Sequence, residues 1–394
     1  MATNNNNKAL NVPHLRFPEF NGEWEKCTIK DYGEVVTGNT PPTSNSEYYD
    51  NGSYLWASPA DLGISKNITE TKTKLSLSGF RKTRNIPKGS VLITCIGSTI
   101  GKMGMATETM SSNQQINSIV INDKSDSDFV YYAISRAFPR YLSEVGIQAV
   151  PILSKSNFEK LPNYTTCREE QDKIGYFLNL LDERIATQNK IIEDLKKLKS
   201  AIIEMEYTHK TKSNSHIGDF IEQTSKRNKN CAIQNVLSVS NRQGFIQQSE
   251  QFENRSVASD DTSNYKIVEK NDFAFNPARI NVGSIARLTT FDRGIVSPMY
   301  ICFRTKDTLF PEYLDYYFET KQFFTEIQKR LEGSVRQCLS FEGLCNIPLC
   351  IPTIEVQRQV GNQLSTLVQE IKLKIDFLEL LQRQKKFLLH QMFI

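Results

Sequence analysis

The chain repeats itself. From Leu153 it reads LSKSNFEKLPNYTTCREEQDKIGYFLNLLDERI, and from Leu339 it reads LSFEGLCNIPLCIPTIEVQRQVGNQLSTLVQEI. At a constant offset of 186, without a gap, Leu153-Ser154 aligns with Leu339-Ser340 and Leu161-Pro162 with Ile347-Pro348. Glu169-x-Gln171 likewise aligns with Glu355-x-Gln357, and Ile174-Gly175 with Val360-Gly361. A duplication of this kind constrains the architecture before any local motif does. Each copy has helical periodicity, and each follows a long, much less similar globular stretch. The order is module, helix, module, helix, which presents two different surfaces on one repeated plan.

The helical copies carry heptads. In the first, Ile174, Leu178, Leu181, Ile185, Gln188, Ile192, Leu195, Lys199 and Ile202 follow alternating spacings of four and three. In the second, Val360, Leu364, Leu367, Ile371, Lys374, Leu378, Leu381, Lys385 and Leu388 take the equivalent places. Apolar residues every 3.5 positions form a seam that must be buried against another helix. Gln188 with Lys374, and Lys199 with Lys385, interrupt the seam at matching positions; they fit either register-setting residues or long side chains snorkelling at a rim. Thr165-Thr166 and Pro352-Thr353 offer capping hydroxyls ahead of acidic first turns. A first helix from about Arg168 to Met205 would span about 55 Å, comparable with about 16 base pairs of duplex. Two such helices pair most simply with each other. The expected pairing is an antiparallel coiled coil, which gives the duplicated chain a pseudo-two-fold axis and suits the two-fold symmetry of a DNA backbone.

The modules read as α+β. The first has a turn signal at Gly38-Asn39-Thr40-Pro41-Pro42, apolar strands such as Tyr54-Leu55-Trp56 and Val91-Leu92-Ile93-Thr94, and a helix over Asp128 to Leu142. The second echoes it. Lys88 to Ile93 corresponds to Lys270 to Phe275, Gly101 to Gly283, and FVYYAI from Phe129 to YLDYYF from Tyr313. The expected segments are an N-terminal piece (1–23), a first module (24–162), a first helical region (163–212), a second module (213–348) and a second helical region (349–394).

Composition excludes several classes. Hydrophobic content of 39% and charged content of 23% are those of a soluble globular protein, and no apolar run approaches the roughly 20 residues of a membrane span. The polyasparagine tract near the start stands where a secretory signal would need an apolar core, so the expected address is cytoplasmic. The eight cysteines are scattered and read as buried reduced thiols. Cys338, Cys345 and Cys350 lack a CxxC pair or a nearby histidine and make a poor metal site. The net charge of +4 does not by itself announce a nucleic-acid partner. Its distribution is more suggestive: Arg81, Lys82, Arg84 and Lys88 cluster in the first module, and Lys226, Arg227 and Lys229 open the second.

Catalytic signatures are missing. Gly97-Ser-Thr-Ile-Gly101-Lys102-Met103 falls short of a phosphate loop in spacing and lacks its hydroxyl. No strand leads into GxGxxG. Asn276-Pro277-Ala278 lacks the second proline and the aromatic of an amino-methyltransferase motif. Glu312, Glu319 and Lys321 lie on a tyrosine-rich helical stretch, and Glu319 and Lys321 read as a solvated face, not part of a nuclease centre. His14, His209, His216 and His390 are isolated and suit no triad.

The order of parts and several strings resemble the specificity subunits of Type I restriction–modification systems. LRFPEFNGEWE (Leu15 to Glu25) is similar to their N-terminal entry. TGNTPPT, WASPADL, NIPKGSVLITCIGSTIGKMG and SSNQQINSIV are similar to one of their target-recognition domains, and the EEQDKIG and EVQRQVG helices to their two conserved regions. The resemblance covers essentially the whole chain and rests on the joint order of modules and helices. The second module departs from it: SPMYICF stands where the first has NQQINSIV, so a contact assigned to Asn113 or Gln114 does not transfer to Ser297 or Pro298.

The resemblance implies that each module reads one half of a bipartite site on double-stranded DNA while the paired helices set the unread spacer. It implies two methyltransferase subunits, which bind S-adenosylmethionine, docked on the helices. It also implies restriction subunits that cut with ATP and magnesium; this chain itself would hold no cofactor or metal and catalyse nothing. A phage inhibitor mimicking the charge of DNA is a further candidate partner. Groove reading needs Arg, Asn, Gln, Lys and hydroxyl donors. The candidates are Thr40, Arg81, Lys82, Arg84, Ser98, Lys102, Asn113 and Gln114 in the first module. In the second they are Lys226, Arg227, Asn241, Arg242, Arg279, Asn281, Arg293 and Arg336. The competing reading is a coiled-coil scaffold with two protein-binding modules.

Overall fold

The computed structural model describes residues 10–145, 152–208, 215–241, 243–248, 261–333 and 337–394. Two compact units emerge: Met1–Gln188 with Phe377–Ile394, and Asn189–Asp376. The first long helix runs over Arg168–Thr208, three residues further than the periodicity indicated, and the second over Ile354–Met392. The division into units cuts across both of them.

In the first unit, one five-stranded sheet follows the order 33–37, 116–121, 91–94, 103–106, 67–68. A second, four-stranded sheet follows 73–75, 54–57, 110–112, 85–86, with Trp56 and Ala57 parallel to Ser111 and Ser112. In the second unit the corresponding sheets are 221–224, 301–305, 273–275, 285–287 and 244–247, 236–240, 293–296, 266–269. Apart from strand 67–68, which has no counterpart among the described residues of the second unit, strand order recurs, as does the parallel pair of the other sheet (Val236 with Ile295). Even the turn before the central strand recurs, with left-handed Gly89 in one module and Asn271 in the other. The α+β scaffold is therefore repeated although its loops are not.

Each module also enters and leaves side by side. Glu25–Thr28 pairs antiparallel with Pro162–Thr165, and His216 bridges Pro348. Ser154 and Ser340, matched in the repeat, each accept the backbone N–H three residues on (Asn157, 3.3 Å; Gly343, 3.0 Å) and cap equivalent short helices.

The heptad seam is buried or half-buried throughout, and its direction follows from which ends meet. In the first unit, Ile174 and Leu178 share a core with Leu388, Met392 and Phe393. In the second, Ile203 and Tyr207 share a core with Val360 and Leu364. The helices are antiparallel, so each module rests on the beginning of its own helix and the end of the other. Phe393 packs on Phe129 (5.3 Å between centroids), and Tyr207 packs on Tyr313 (4.7 Å). The seam lysines follow the same rule. Lys385 lies over Tyr132 and pairs with Asp182, while Lys199 lies over Tyr316 and pairs with Glu319; both cation–ring distances are 5.5 Å. Their contacts to the modules account for the polar interruptions. Glu319 is exposed, as expected of a solvated face, and carries this ion pair there.

The strongest repeat positions fasten module to helix. Gln171 is 2% exposed; it accepts from the Asp126 N–H (3.0 Å) and donates to the Thr166 carbonyl (2.8 Å). Gln357, fully buried, accepts from the Phe310 N–H (2.8 Å) and donates to the Pro352 carbonyl (2.9 Å). Asp126 and Phe310 precede the equivalent helices Ser127–Val145 and Pro311–Tyr317. A side chain at Gly175 would collide with the Asp126 carboxylate, and one at Gly361 would crowd Glu312 and Phe310, so the E-x-Q-x-x-x-G spacing fits this close approach.

Two local expectations need correction. Cys167, not a threonine, precedes the first long helix, and the Thr166 hydroxyl donates to Glu170; Thr353 does precede the second. All eight cysteines are free, but only Cys95 and Cys302 are buried; Cys167 is exposed and the other five are intermediate. Among the described residues no helix is long and apolar enough to cross a membrane, and no cluster of metal-ligating side chains forms.

Candidate nucleic-acid interface

In the first module, strands of both sheets terminate together. Thr37 pairs with Asn117, Thr94 with Ile116, Ala57 with Ser112, and Ser111 with Asn85. The Gly38-Asn39-Thr40 turn ties the two sheets at this end. Gly38 N donates to the Ile116 carbonyl (3.1 Å) and Asn39 N to the Ser112 carbonyl (2.9 Å). A side chain on Gly38 would strike the carbonyls of Ser112 and Asn113, which is why the turn has no Cβ there.

Most sequence-derived candidates of this module gather here. The Thr40 hydroxyl donates to Gln114 Oε1 (2.5 Å), and Gln114 is exposed with its amide nitrogen unbonded among the described residues. Arg81, Lys82 and Arg84 lie on the loop entering strand 85–86; Arg84 Nη1 donates to the Thr37 carbonyl (2.9 Å). Ser98 and Lys102, both exposed, lie on the turn joining strands 91–94 and 103–106. Asn113 differs: it is 8% exposed, its Nδ2 donates to Gln115 Oε1 (3.2 Å), and its Oδ1 accepts from Gln115 N (3.0 Å). It shapes the turn that displays Gln114.

The second module has the same end, differently furnished. Strands finish or begin there at Thr224, Ser240, Phe275, Ile285, Val296 and Ile301. Exposed Lys226 and Arg227 leave the edge strand, and Arg227 Nη1 donates to Asn264 Oδ1 (2.7 Å). Asn241 Nδ2 donates to the Val282 carbonyl (3.3 Å), joining the end of strand 236–240 to the loop that carries exposed Arg279 and Asn281. Arg293 is not brought in. It begins its strand opposite Glu269, at the far end of the sheet. Arg242 and Arg336 lie outside the described residues.

Charge separates the display groups from the structural ones. Arg81, Lys82, Arg84, Lys102, Lys226, Arg227 and Arg279 form no ion pair among the described residues. By contrast, Lys66 is paired with Asp128, and Arg287 holds Glu312 (2.6 Å) and Asp315 (3.2 Å). Unpaired guanidinium and ammonium groups beside amide donors are what a phosphate backbone and base edges require. Sequence reading missed Asn39 and Asn228, whose side chains organise the two ends. Asn39 was legible only as a turn residue, and Asn228 was hidden between the charges of Arg227 and Lys229.

Comparison with known proteins agrees with this geometry. Residues 21–197 match the family described as Type I restriction modification DNA specificity domain. The chain is similar to the Type I restriction enzyme HindI specificity subunit of Haemophilus influenzae, at 31% identity over 37% of this chain and 32% of that protein. It is also similar to the MjaIX specificity subunit of Methanocaldococcus jannaschii, at 32% identity over 45% and 42%. The matched segments thus span about a third and about two fifths of those relatives. The fold is that of the Type I restriction–modification S subunit from M. genitalium, with a TM-score of 0.63 and 16% identity, covering 97% of this chain and 99% of that one.

Proposed function

We propose that this chain, whose residues 21–197 match the Type I restriction modification DNA specificity domain, is the sequence-reading subunit of such a system. One observation carries the reading. A single scaffold occurs twice with the same order of its shared strands. The matching end displays Thr40, Arg84 and Gln114 in one copy, and Lys226, Asn241 and Arg279 in the other. Two readers with different loops recognise two different half-sites on double-stranded DNA. The long helices, continuous over 41 and 39 residues, set the unread spacer.

The chain contributes recognition and no bond chemistry. Methyltransferase subunits carrying S-adenosylmethionine dock on the helices, and restriction subunits using ATP and magnesium complete the assembly in the cytoplasm. A phage inhibitor that mimics DNA charge would occupy the same cations. The exposed apolar residues of the long helices support a docking role, among them Tyr176, Leu180, Leu198, Leu373, Leu380 and Phe387. A scaffold with two protein-binding modules gives no reason for unpaired cations at the matching end of both modules.

The test is adenine-methylation mapping in cells carrying this chain with its methyltransferase subunit, against cells lacking it. A new bipartite motif with a fixed gap is the expected result. No new motif from an intact complex would remove the proposal, and a continuous motif would remove the two-reader part of it.

A further inference from the structure

Asn39 stands at the centre of the first module's display end, and all four of its polar groups are used. Its N–H donates to the Ser112 carbonyl (2.9 Å), and its carbonyl accepts from Trp56 Nε1 (3.1 Å). Its Oδ1 accepts from Arg84 N (2.8 Å), and its Nδ2 donates to the Lys82 carbonyl (2.9 Å). An asparagine that merely formed a turn would bond backbone about two residues away. Here the side-chain partners are 43 and 45 residues distant. Among the described residues the basic loop has no comparable tie except Arg84 Nη1 to the Thr37 carbonyl, which immediately precedes the same turn. The next residue, Thr40, holds Gln114.

The second module also places an asparagine in the first turn after an edge strand, but there the side chain closes a loop five residues long and reaches Thr262 Oγ1 (3.4 Å). Asn228, 1% exposed, accepts from Ile233 N (3.1 Å) through Oδ1 and donates to the Ile233 carbonyl (2.9 Å) through Nδ2. Its own N–H donates to the Tyr265 carbonyl (3.0 Å). It thereby fixes the segment that presents Lys226, Arg227 and Lys229.

We propose that Asn39 and Asn228 are positioning residues for sequence reading. Neither touches DNA; each sets the placement of a cationic loop against the neighbouring readers of its own module. The inference rests on the DNA-reading function proposed above. Base contacts tolerate displacements of only about 0.5 Å, so a loop released from its amide keeps its charge and loses its selectivity.

The experiment uses the full chain assembled with its methyltransferase subunits, acting on a pool of duplexes randomised across both half-sites. Asn39→Ala should lower discrimination within the first half-site on the order of tenfold, the scale of one base contact, and leave the second half-site unchanged. Asn228→Ala should do the reverse. Asn39→Asp is near-isosteric, keeps the acceptor for Arg84 N, and turns a carboxylate oxygen on the Lys82 carbonyl; it should reproduce the alanine effect, and it keeps the test decisive should Asn39→Ala fail to assemble. Unchanged discrimination, or equal relaxation of both half-sites, would overturn the proposal. Thr40→Ala and Arg84→Ala separate the two levels: if they relax the first half-site while the Asn39 variants do not, only positioning fails. If none of the four matters, DNA reading by this end fails as well.

Discussion

Replacing Gln171 with methionine isolates the fastener that the repeat preserves. Methionine has similar volume and is a good helix former, so packing and helix propensity change little. What disappears is the acceptor for Asp126 N and the donor to the Thr166 carbonyl, together with weaker donation to the Thr165 hydroxyl (3.2 Å) and the Lys124 carbonyl (3.4 Å). Both backbone groups are partly buried, so water recovers some of the loss, and about 1–1.5 kcal/mol each is a fair penalty. The sum, about 2–3 kcal/mol, corresponds to roughly a 30- to 150-fold rise in local opening. Amide hydrogen exchange on the assembled complex should show this at the start of Ser127–Val145 and in the first turn of Arg168–Thr208. Gln357→Met should produce the same rise at Pro311–Tyr317 and the start of Ile354–Met392, and the double variant should show both, because the two sites share no partner. A change below about threefold at the Asp126 and Phe310 amides would refute the assignment of the repeated glutamine as the tie between module and helix.

Arg279→Ala should relax the second half-site by about 1–3 kcal/mol and leave the first intact; a change in the first would contradict two independent readers. Inserting a heptad beside Gln188 with a matching heptad in the second helix should lengthen the mapped spacer without altering either half-site. Phe393→Ala removes a ring packed on Trp24 and Phe129; a loss of about 3–5 kcal/mol is expected, visible as earlier thermal unfolding confined to probes in the first unit. Burial pushes the Cys95 and Cys302 thiols up to about 12. At pH 8 their thiolate fraction is about one in ten thousand, so a disulfide reagent should label exposed Cys167 rapidly and these two only on unfolding.

The duplication, the seam and the α+β character were legible because periodicity and repetition report on burial, and burial is what a helix face or a strand must satisfy. Boundaries were less so: nothing in Ile202 or Met205 says that the helix continues until Tyr207 finds Tyr313. The roles of Lys199 and Lys385 were undetermined, since a polar seam residue looks alike whether it meets another helix or a tyrosine of the module. Among site residues, Thr40, Arg84 and Gln114 could be guessed by type, and the turn at Gly38 by its glycine. Asn113 and Arg293 show the limit. One is a good reader by chemistry but spends its amide on Gln115, and the other is a surface arginine at the far end of its strand. Which donors converge depends on strand register, and register is not written in any single segment.

The sharing of the long helices has a consequence for how the protein is made. The second unit, Asn189–Asp376, is one unbroken stretch of chain, whereas the first needs Phe377–Ile394 to cover Trp24, Phe129 and Leu178. Domains ordinarily mature in the order of their synthesis. Here the module translated first must wait, with an apolar surface uncovered, until the ribosome has finished the other one. Of the two readers, the one translated first is the second to close.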